Sequence, residues 1–372
     1  MAKKELVECA RSCWRWFTIL AGAAAGELPD VIQSGYGLTP VLSRRGLLVP
    51  LDDFLAREGA QFLADYFPGA MAPYVIDGRV YSIPIFLQLE GLFSNPEILL
   101  TAGVAPPEPG WTWDDLLEKA RRTRRLGADG SIEQWGLVAN TTLQLDYTWM
   151  GQADMRFINE ALELTVNSPA LHETYNWILN AVDTDVLRYR GIHADAPANN
   201  EQRGLAVAFM ADGNYRQPTW DALESPYVTA PPIRRNAASA PATLNTSRAW
   251  AILNVAPEKQ AAAWEVIKFL QRPENLSRFA AAMSYLPATA SAANSDLFQE
   301  FVRTQRNMQV WVSEYLPIRT VELWPWSMGL APRTPLLTLS NQLVGGQITL
   351  AEFIETAEQN LRRVIEEYRG GY

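Results

Sequence analysis

The chain has 372 residues, more than one hydrophobic core usually holds, so two domains are expected. Its 48 % hydrophobic and 20 % charged residues are the proportions of a globular protein. A net charge of −9 and a pI near 5.0 argue against a nucleic-acid partner, whose phosphates demand a basic face.

The chain opens with Lys3 and Lys4 ahead of an apolar run over residues 16–25. Glu5 and Glu8 in the charged part, and glycine in the short apolar part, favour an amphipathic helix ending at Gly26 over a secretory signal. No uninterrupted apolar stretch reaches the roughly 18 residues that a membrane-spanning helix needs. Cys9 and Cys13 share a helix face, too few for a structural zinc and poorly placed for a disulfide. Residues 28–35, a short apolar run ending in Ser-Gly, read as a buried strand feeding a loop. Residues 41–58 hold a helix end, a glycine turn and the acidic start of another helix.

Residues 77–99, DGRVYSIPIFLQLEGLFSNPEIL, read as two strands interrupted by Pro84, Gln88 and Glu90. A central proline removes a ladder donor, and a buried Gln or Glu needs a partner. The stretch is therefore either an edge or a crossing through somewhere polar. Residues 110–130 form a clear helix, with Thr112 as cap, Asp115 at the third position, and Leu116 and Leu117 after it. The arginines at 121, 122, 124 and 125 complement the dipole at its end. Asp129-Gly130 turns the chain into a strand over 133–139. Ser168 and Pro169 open a helix over 167–182, and Pro257 opens another that stops before Pro273. The last helix starts at the capping box Thr349–Glu352, shows one apolar face, and ends at Gly370. This alternation is the pattern of an α/β protein.

The chain has no GxSxG elbow, GxxxxGK loop, HExxH or CxxC pair. His172 and His193 form no metal-ligand spacing, so neither a metal site nor a cofactor is expected. Abundant acidic residues leave a carboxylate-pair hydrolase open as an alternative on composition, although no two acids pair at defined strand ends. The positive signal is aromatic. Trp111, Trp113, Trp149, Tyr215, Trp220, Trp250, Tyr285, Trp324 and Trp326 stand at or beside turns. Tryptophan offers an apolar face and one donor, as the C–H face of a pyranose requires. Taken singly, each is more readily a core residue, Trp264 above all.

Several blocks together resemble the extracellular solute-binding proteins (family 1) of carbohydrate ABC importers, the maltose-binding-protein-like family. Ala25-Gly26-Glu27-Leu28-Pro29-Asp30-Val31 and Gly46-Leu47-Leu48-Val49-Pro50-Leu51 are two of them. DGRVYSIP, GLFSNPEILLTAGVAPPEPGWTWDDL, GLAVAFMADGNY and SRAWAILNVAPEKQAAAWEVIKFLQRPE follow, with YLPA after them, in the family's order. The resemblance implies an α/β, two-lobed periplasmic-binding-protein fold of type II. Its lobes would be 1–86 plus 251–300 and 87–250 plus 301–372, with a hinge crossed just after Pro84. It also places Met1 inside the family's first long helix, so the export signal and first strand are expected to be missing.

By the same matching, Gln88 falls where maltodextrin binders carry a sugar-binding glutamate, and Tyr215 where the family often stacks a tryptophan on a sugar ring. Ser34 and Tyr36 lie in a cleft loop, Trp149 before the helices of the second lobe, Trp250 after the returning crossover, and Trp326 before the final helices. Glu90 is expected to be structural. The implied protein is a monomeric, non-catalytic, extracytoplasmic binder that delivers a carbohydrate to an ABC permease in the membrane. A variant of this reading keeps the fold but takes a glycerol-phosphate-type solute, with Arg216 and Arg248 as the nearest cations. A degenerate relative that binds nothing is a further alternative.

Overall fold

The computed structural model describes residues 19, 21–139, 148–189, 207–222, 224–305 and 307–370. Cys9, Cys13, His193 and most of the expected N-terminal helix lie outside them. The helical residues 21–25 do end at Gly26, where Glu27 N–H bonds the Gly22 carbonyl at 2.8 Å.

The strands, numbered along the chain, sort into two sheets. One has the spatial order β1 (Val31–Gly35), β12 (Arg248–Ile252), β4 (Ile83–Leu87), β13 (Leu286–Pro287), all antiparallel. The other has the order β10 (Val228–Ala230), β5 (Glu90–Ser94), β9 (Val207–Gly213), β7 (Ile132–Ala139), β6 (Arg125–Leu126), with β8 (Leu187–Tyr189) also on β7. Here β7 runs parallel to β8 and β9. Two small ladders complete the set: β2 (Val75–Ile76) with β3 (Arg79–Val80), and β11 (Ala242–Thr243) with β14 (Arg319–Thr320).

The proline inside β4 has a local explanation. The register against β12 slips between Phe86 and Pro84, and β13 covers only Leu87 and Phe86. Pro84 therefore sits at a bulge, beyond the end of β13, where no ladder donor is required of it. Its carbonyl is satisfied by the Gln271 amide at 3.1 Å. The next residues leave this sheet altogether, because β5 belongs to the other one. Residues 77–99 are thus a crossing.

Helices bury one face each against these sheets. Trp113–Thr123 starts at the expected capping box: the Thr112 hydroxyl accepts from Asp115 N–H, and the Asp115 carboxylate accepts from Thr112 N–H. It buries Trp113, Leu116, Leu117 and Ala120. Pro257–Leu270 buries Trp264, whose Nε1 donates to Glu58 at 3.0 Å. Leu350–Gly370 buries Phe353, Ile354, Ala357, Leu361 and Ile365 in the same cluster as Leu137, Phe209 and Tyr175. A second cluster runs from Ile83, Leu87 and Ile252 of the first sheet to Phe93, Val207 and Met210 of the second, through Trp311 and Tyr315.

Candidate functional site

The crossing from β4 to β5 is clamped from the second sheet. Asn214, fully buried, accepts from Leu89 N–H at 3.1 Å and donates to the Leu87 carbonyl at 3.2 Å. The chain returns alongside: Thr246 N–H bonds the Gln88 carbonyl at 2.9 Å, and Glu90 N–H bonds the Leu244 carbonyl at 3.1 Å. Val321 N–H joins the same bundle by bonding Thr243 at 2.8 Å. Backbone demand at the crossing is therefore met internally, and the half-buried Gln88 amide bonds to no other described residue. One step along from Asn214, Tyr215 turns its ring over Gly213, where a Cβ would collide with it. Arg216 lies 5.4 Å from that ring's centre and is held by Asp212 at 3.4 Å.

A second group gathers at the end of β1. Gly35 pairs with Arg248 across the ladder, and a Cβ on Gly35 would stand 2.5 Å from the Arg248 Nη1. Only glycine leaves the guanidinium that place. Two residues on, the space beside Gly37 is filled by Leu330, whose carbonyl accepts the Arg333 N–H at 3.0 Å at the start of Arg333–Val344. Between the two glycines, the Tyr36 ring meets Trp326 edge-on at 6.0 Å. Burial pushes the Tyr36 hydroxyl above the usual phenol range, against the pull of Arg333 and Arg248, with Glu90 adding a smaller upward push. Two cations and one carboxylate thus bear on a single hydroxyl.

Trp326 also borders a cavity of about 530 Å³. Arg44, Asp77 and Gly78 line one side, and Glu160, Glu322, Ser327 and Tyr368 the other. Burial raises the Glu322 carboxyl, opposed by Arg156 at 3.0 Å and reinforced by Glu160. The Arg44 guanidinium stacks 3.4 Å from the centre of the Tyr368 ring, and the Tyr368 hydroxyl bonds Ser327 at 2.7 Å.

Of the residues expected at the site, the structure gathers Tyr36 and Trp326 directly, and sets Gln88 and Tyr215 on either side of the Asn214 clamp. Three others stand apart from that group. Ser34 is only 1 % exposed, and its hydroxyl is shared with Thr39 at 2.8 Å and Ser82 at 3.1 Å. Trp149 is buried, packed edge-on against Trp177 at 4.4 Å, and borders a cavity of about 30 Å³, room for a water molecule. Trp250 is half-buried and borders a separate cavity of about 350 Å³ with Ile85, Phe269 and Phe279. Of the loop aromatics, Trp113, Trp220 and Trp324 are core as well. Arg333, Arg44, Tyr368 and Glu322 carried no local signal in the sequence. Among the described residues no group of three His, Cys, Asp or Glu is placed to hold a metal ion.

A family model described as bacterial extracellular solute-binding protein matches residues 7–303. The chain belongs to this family. This solute-binding protein is 26 % identical over 195 residues to the sn-glycerol-3-phosphate-binding periplasmic protein UgpB of Brucella abortus (strain 2308). That match takes in 48 % of the chain and 44 % of the relative, so it spans less than half the relative's length. In structure it resembles the sugar-binding protein MalE from Xanthomonas citri, with a TM-score of 0.81 at 16 % identity, over 99 % of this chain and 95 % of that one. It also resembles the cyclic alpha-maltosyl-1,6-maltose binding protein from Arthrobacter globiformis, with a TM-score of 0.77 at 18 % identity, over 94 % and 88 %. UgpB from Mycobacterium tuberculosis, solved with glycerophosphocholine, gives 0.77 at 17 % identity, over 94 % and 86 %. At such identities the likeness shows the fold, which is the α/β type II periplasmic-binding-protein fold. Among the described residues of this solute-binding protein, no helix is long and apolar enough to cross a membrane.

Proposed function

We propose that the chain is the solute-capturing component of an ABC importer, binding a sugar or sugar-like polyol between two hinged lobes and handing it to a membrane permease outside the cytoplasm. One lobe is built on the first sheet, up to Leu87 and again from Arg248 to about residue 300. The other is built on the second sheet and the C-terminal helices. The return boundary is set at residues 244–247 rather than 250, because Arg248 already pairs with Gly35.

The observation that carries the reading is the half-buried pair of Tyr36 and Trp326. Trp326 also borders a cavity lined by Arg44 and Asp77 on one side and Glu160 and Glu322 on the other. Aromatic rings give a polyol its apolar contact, and the carboxylates, the tyrosine hydroxyl and the Gln88 amide give its hydroxyls partners. Two of the similar proteins are named for binding sn-glycerol-3-phosphate and cyclic alpha-maltosyl-1,6-maltose, and a third was solved with glycerophosphocholine, which supports a hydroxyl-bearing solute here. A ligand touching both lobes favours the closed form by the contacts that the open form lacks. The binder is monomeric, forms and breaks no bonds, and needs no cofactor.

Isothermal titration with mono- and oligosaccharides and glycerol phosphates, followed by chromatography of the solute, tests the proposal. Saturable binding of one solute per chain, recovered intact, is the expected result. Consumption of the solute would make the protein a hydrolase and overturn the reading.

A further inference from the structure

Resting on that reading, we infer that Asn214 is a positioning residue of the solute site: buried and out of the solute's reach, it sets affinity by holding Gln88 in the conformation that presents its amide. Gln88 is the one residue of 82–90 that is not buried. Its neighbours Leu87 and Leu89 are 3 % and 2 % exposed. A chain can turn a single side chain outward between two buried ones only if the backbone on both sides is bonded.

Asn214 supplies those bonds. Its side chain donates to the Leu87 carbonyl at 3.2 Å and accepts from Leu89 N–H at 3.1 Å, and its own N–H bonds the Leu89 carbonyl at 3.0 Å. One acceptor and one donor flank Gln88, and a carboxamide carries the matching donor and acceptor on one short, planar group. An aliphatic side chain offers neither, and a carboxylate would set an oxygen against the Leu87 carbonyl. The Gln88 carbonyl is bonded by Thr246 N–H at 2.9 Å, so the Gln88 side chain is what remains for the cleft.

The grip comes from a turn that is itself fixed. Gly213 N–H bonds the Asp212 carboxylate at 2.8 Å, Asp212 holds Arg216 at 3.4 Å, and the Tyr215 ring lies over Gly213. Asn214 follows β9 of the second sheet, whereas Leu87 ends β4 of the first. Gln88 therefore keeps its spacing from Tyr215 as the lobes move. Truncating the Asn214 side chain leaves the backbone bond to Leu89 and the Tyr215 ring in place, so its effect on affinity runs through Gln88.

The test is isothermal titration of the full chain with maltose and with glycerol 3-phosphate. It uses the natural protein, Asn214→Ala, Gln88→Ala and the double variant. Gln88→Ala should weaken binding about three- to tenfold, the worth of one hydrogen bond. Asn214→Ala should weaken it by a similar factor in the natural background, and by less than about twofold when Gln88→Ala is already present. Hydrogen exchange locates the change: the Leu89 amide loses protection in Asn214→Ala, while the Val321 amide, bonded to Thr243, keeps it. Thermal melts identify a variant that fails to fold, and Asn214→Ser, alone and with Gln88→Ala, then carries the same comparison. An equal loss in both backgrounds would overturn the positioning role, because Asn214 would then act on the fold and not through Gln88. Affinity unchanged by either single substitution would overturn it as well, with solute capture left standing. Consumption of the solute, or no binding of either solute by the natural protein, would instead remove the capture reading and this inference with it.

Discussion

A methyl group at position 35 would meet only the far end of the Arg248 side chain, which is flexible and can move aside. Gly35→Ala is therefore expected to change stability by no more than about 0.5 kcal/mol, since no backbone or core atom is displaced. It should nevertheless weaken solute binding, because the displaced guanidinium no longer bears in the same way on Tyr36 of the proposed site. Urea unfolding and titration of the same variant separate the two effects, and a loss of stability without a loss of affinity would count against the assigned role. Tyr36 gives a pH prediction of the same kind. Its hydroxyl is raised by burial against the pull of Arg333 and Arg248, so the protonated donor persists through the ordinary phenol value of about 10. Affinity should stay flat from about pH 7 to about pH 9.5. A decline that Tyr36→Phe abolishes would show that the hydroxyl had titrated in that range.

The helix Trp113–Thr123 shows how far local chemistry reaches. The Thr112–Asp115 pair was readable from spacing alone because a capping box depends only on residues three apart. Thr112→Ala should cost about 1 kcal/mol in chemical denaturation. The Thr112 N–H and hydroxyl hold the Asp115 carboxyl below its usual range. A carboxyl depressed in the folded state stabilises fully above its unfolded value, near 3.9, and loses that contribution as pH falls through the folded value. The stability gap between natural protein and Asp115→Asn should thus be present at neutral pH and shrink below about pH 4, as urea titrations at several pH values would show. Strand and helix order and the glycine turn at Gly46 were legible for the same reason: each is announced by neighbours in the chain, whereas the residues around Pro84 left edge and crossing open and only the family resemblance implied the crossing. The fates of Trp149, Trp250 and Ser34 were not legible. Trp149 is buried by Trp113 and Trp177, and Ser34 is occupied by Thr39 and Ser82, none of which a local pattern can assign to it. Leu330, which precedes the helix opened by Arg333, packs on Gly37, a contact far too distant in sequence to be read from periodicity.

The two lobes proposed here meet at more than their crossings. Arg44 ends the helix Thr39–Arg44, whose Leu42 packs with Ala251 and Leu253 of the first-sheet side. Tyr368 lies near the end of Leu350–Gly370, whose buried face packs with the second sheet. The Arg44 guanidinium sits 3.4 Å from the centre of the Tyr368 ring and donates to the Tyr368 carbonyl at 3.1 Å. The pair therefore spans the two bodies beside the cavity that Trp326 borders, and it exists only when they are close. A partly buried cation–π contact contributes roughly 0.5–2 kcal/mol, which shifts an open–closed equilibrium by about two- to thirtyfold. Removing it with Arg44→Ala should enlarge the ligand-free protein in small-angle scattering, while saturating solute still restores the compact form. Affinity should fall by up to the same factor, because binding must then supply the closure that the latch had favoured. An unchanged radius of gyration, with affinity also unchanged, would mean that closure is set at the crossing through Asn214, and that Arg44 merely decorates a surface already closed.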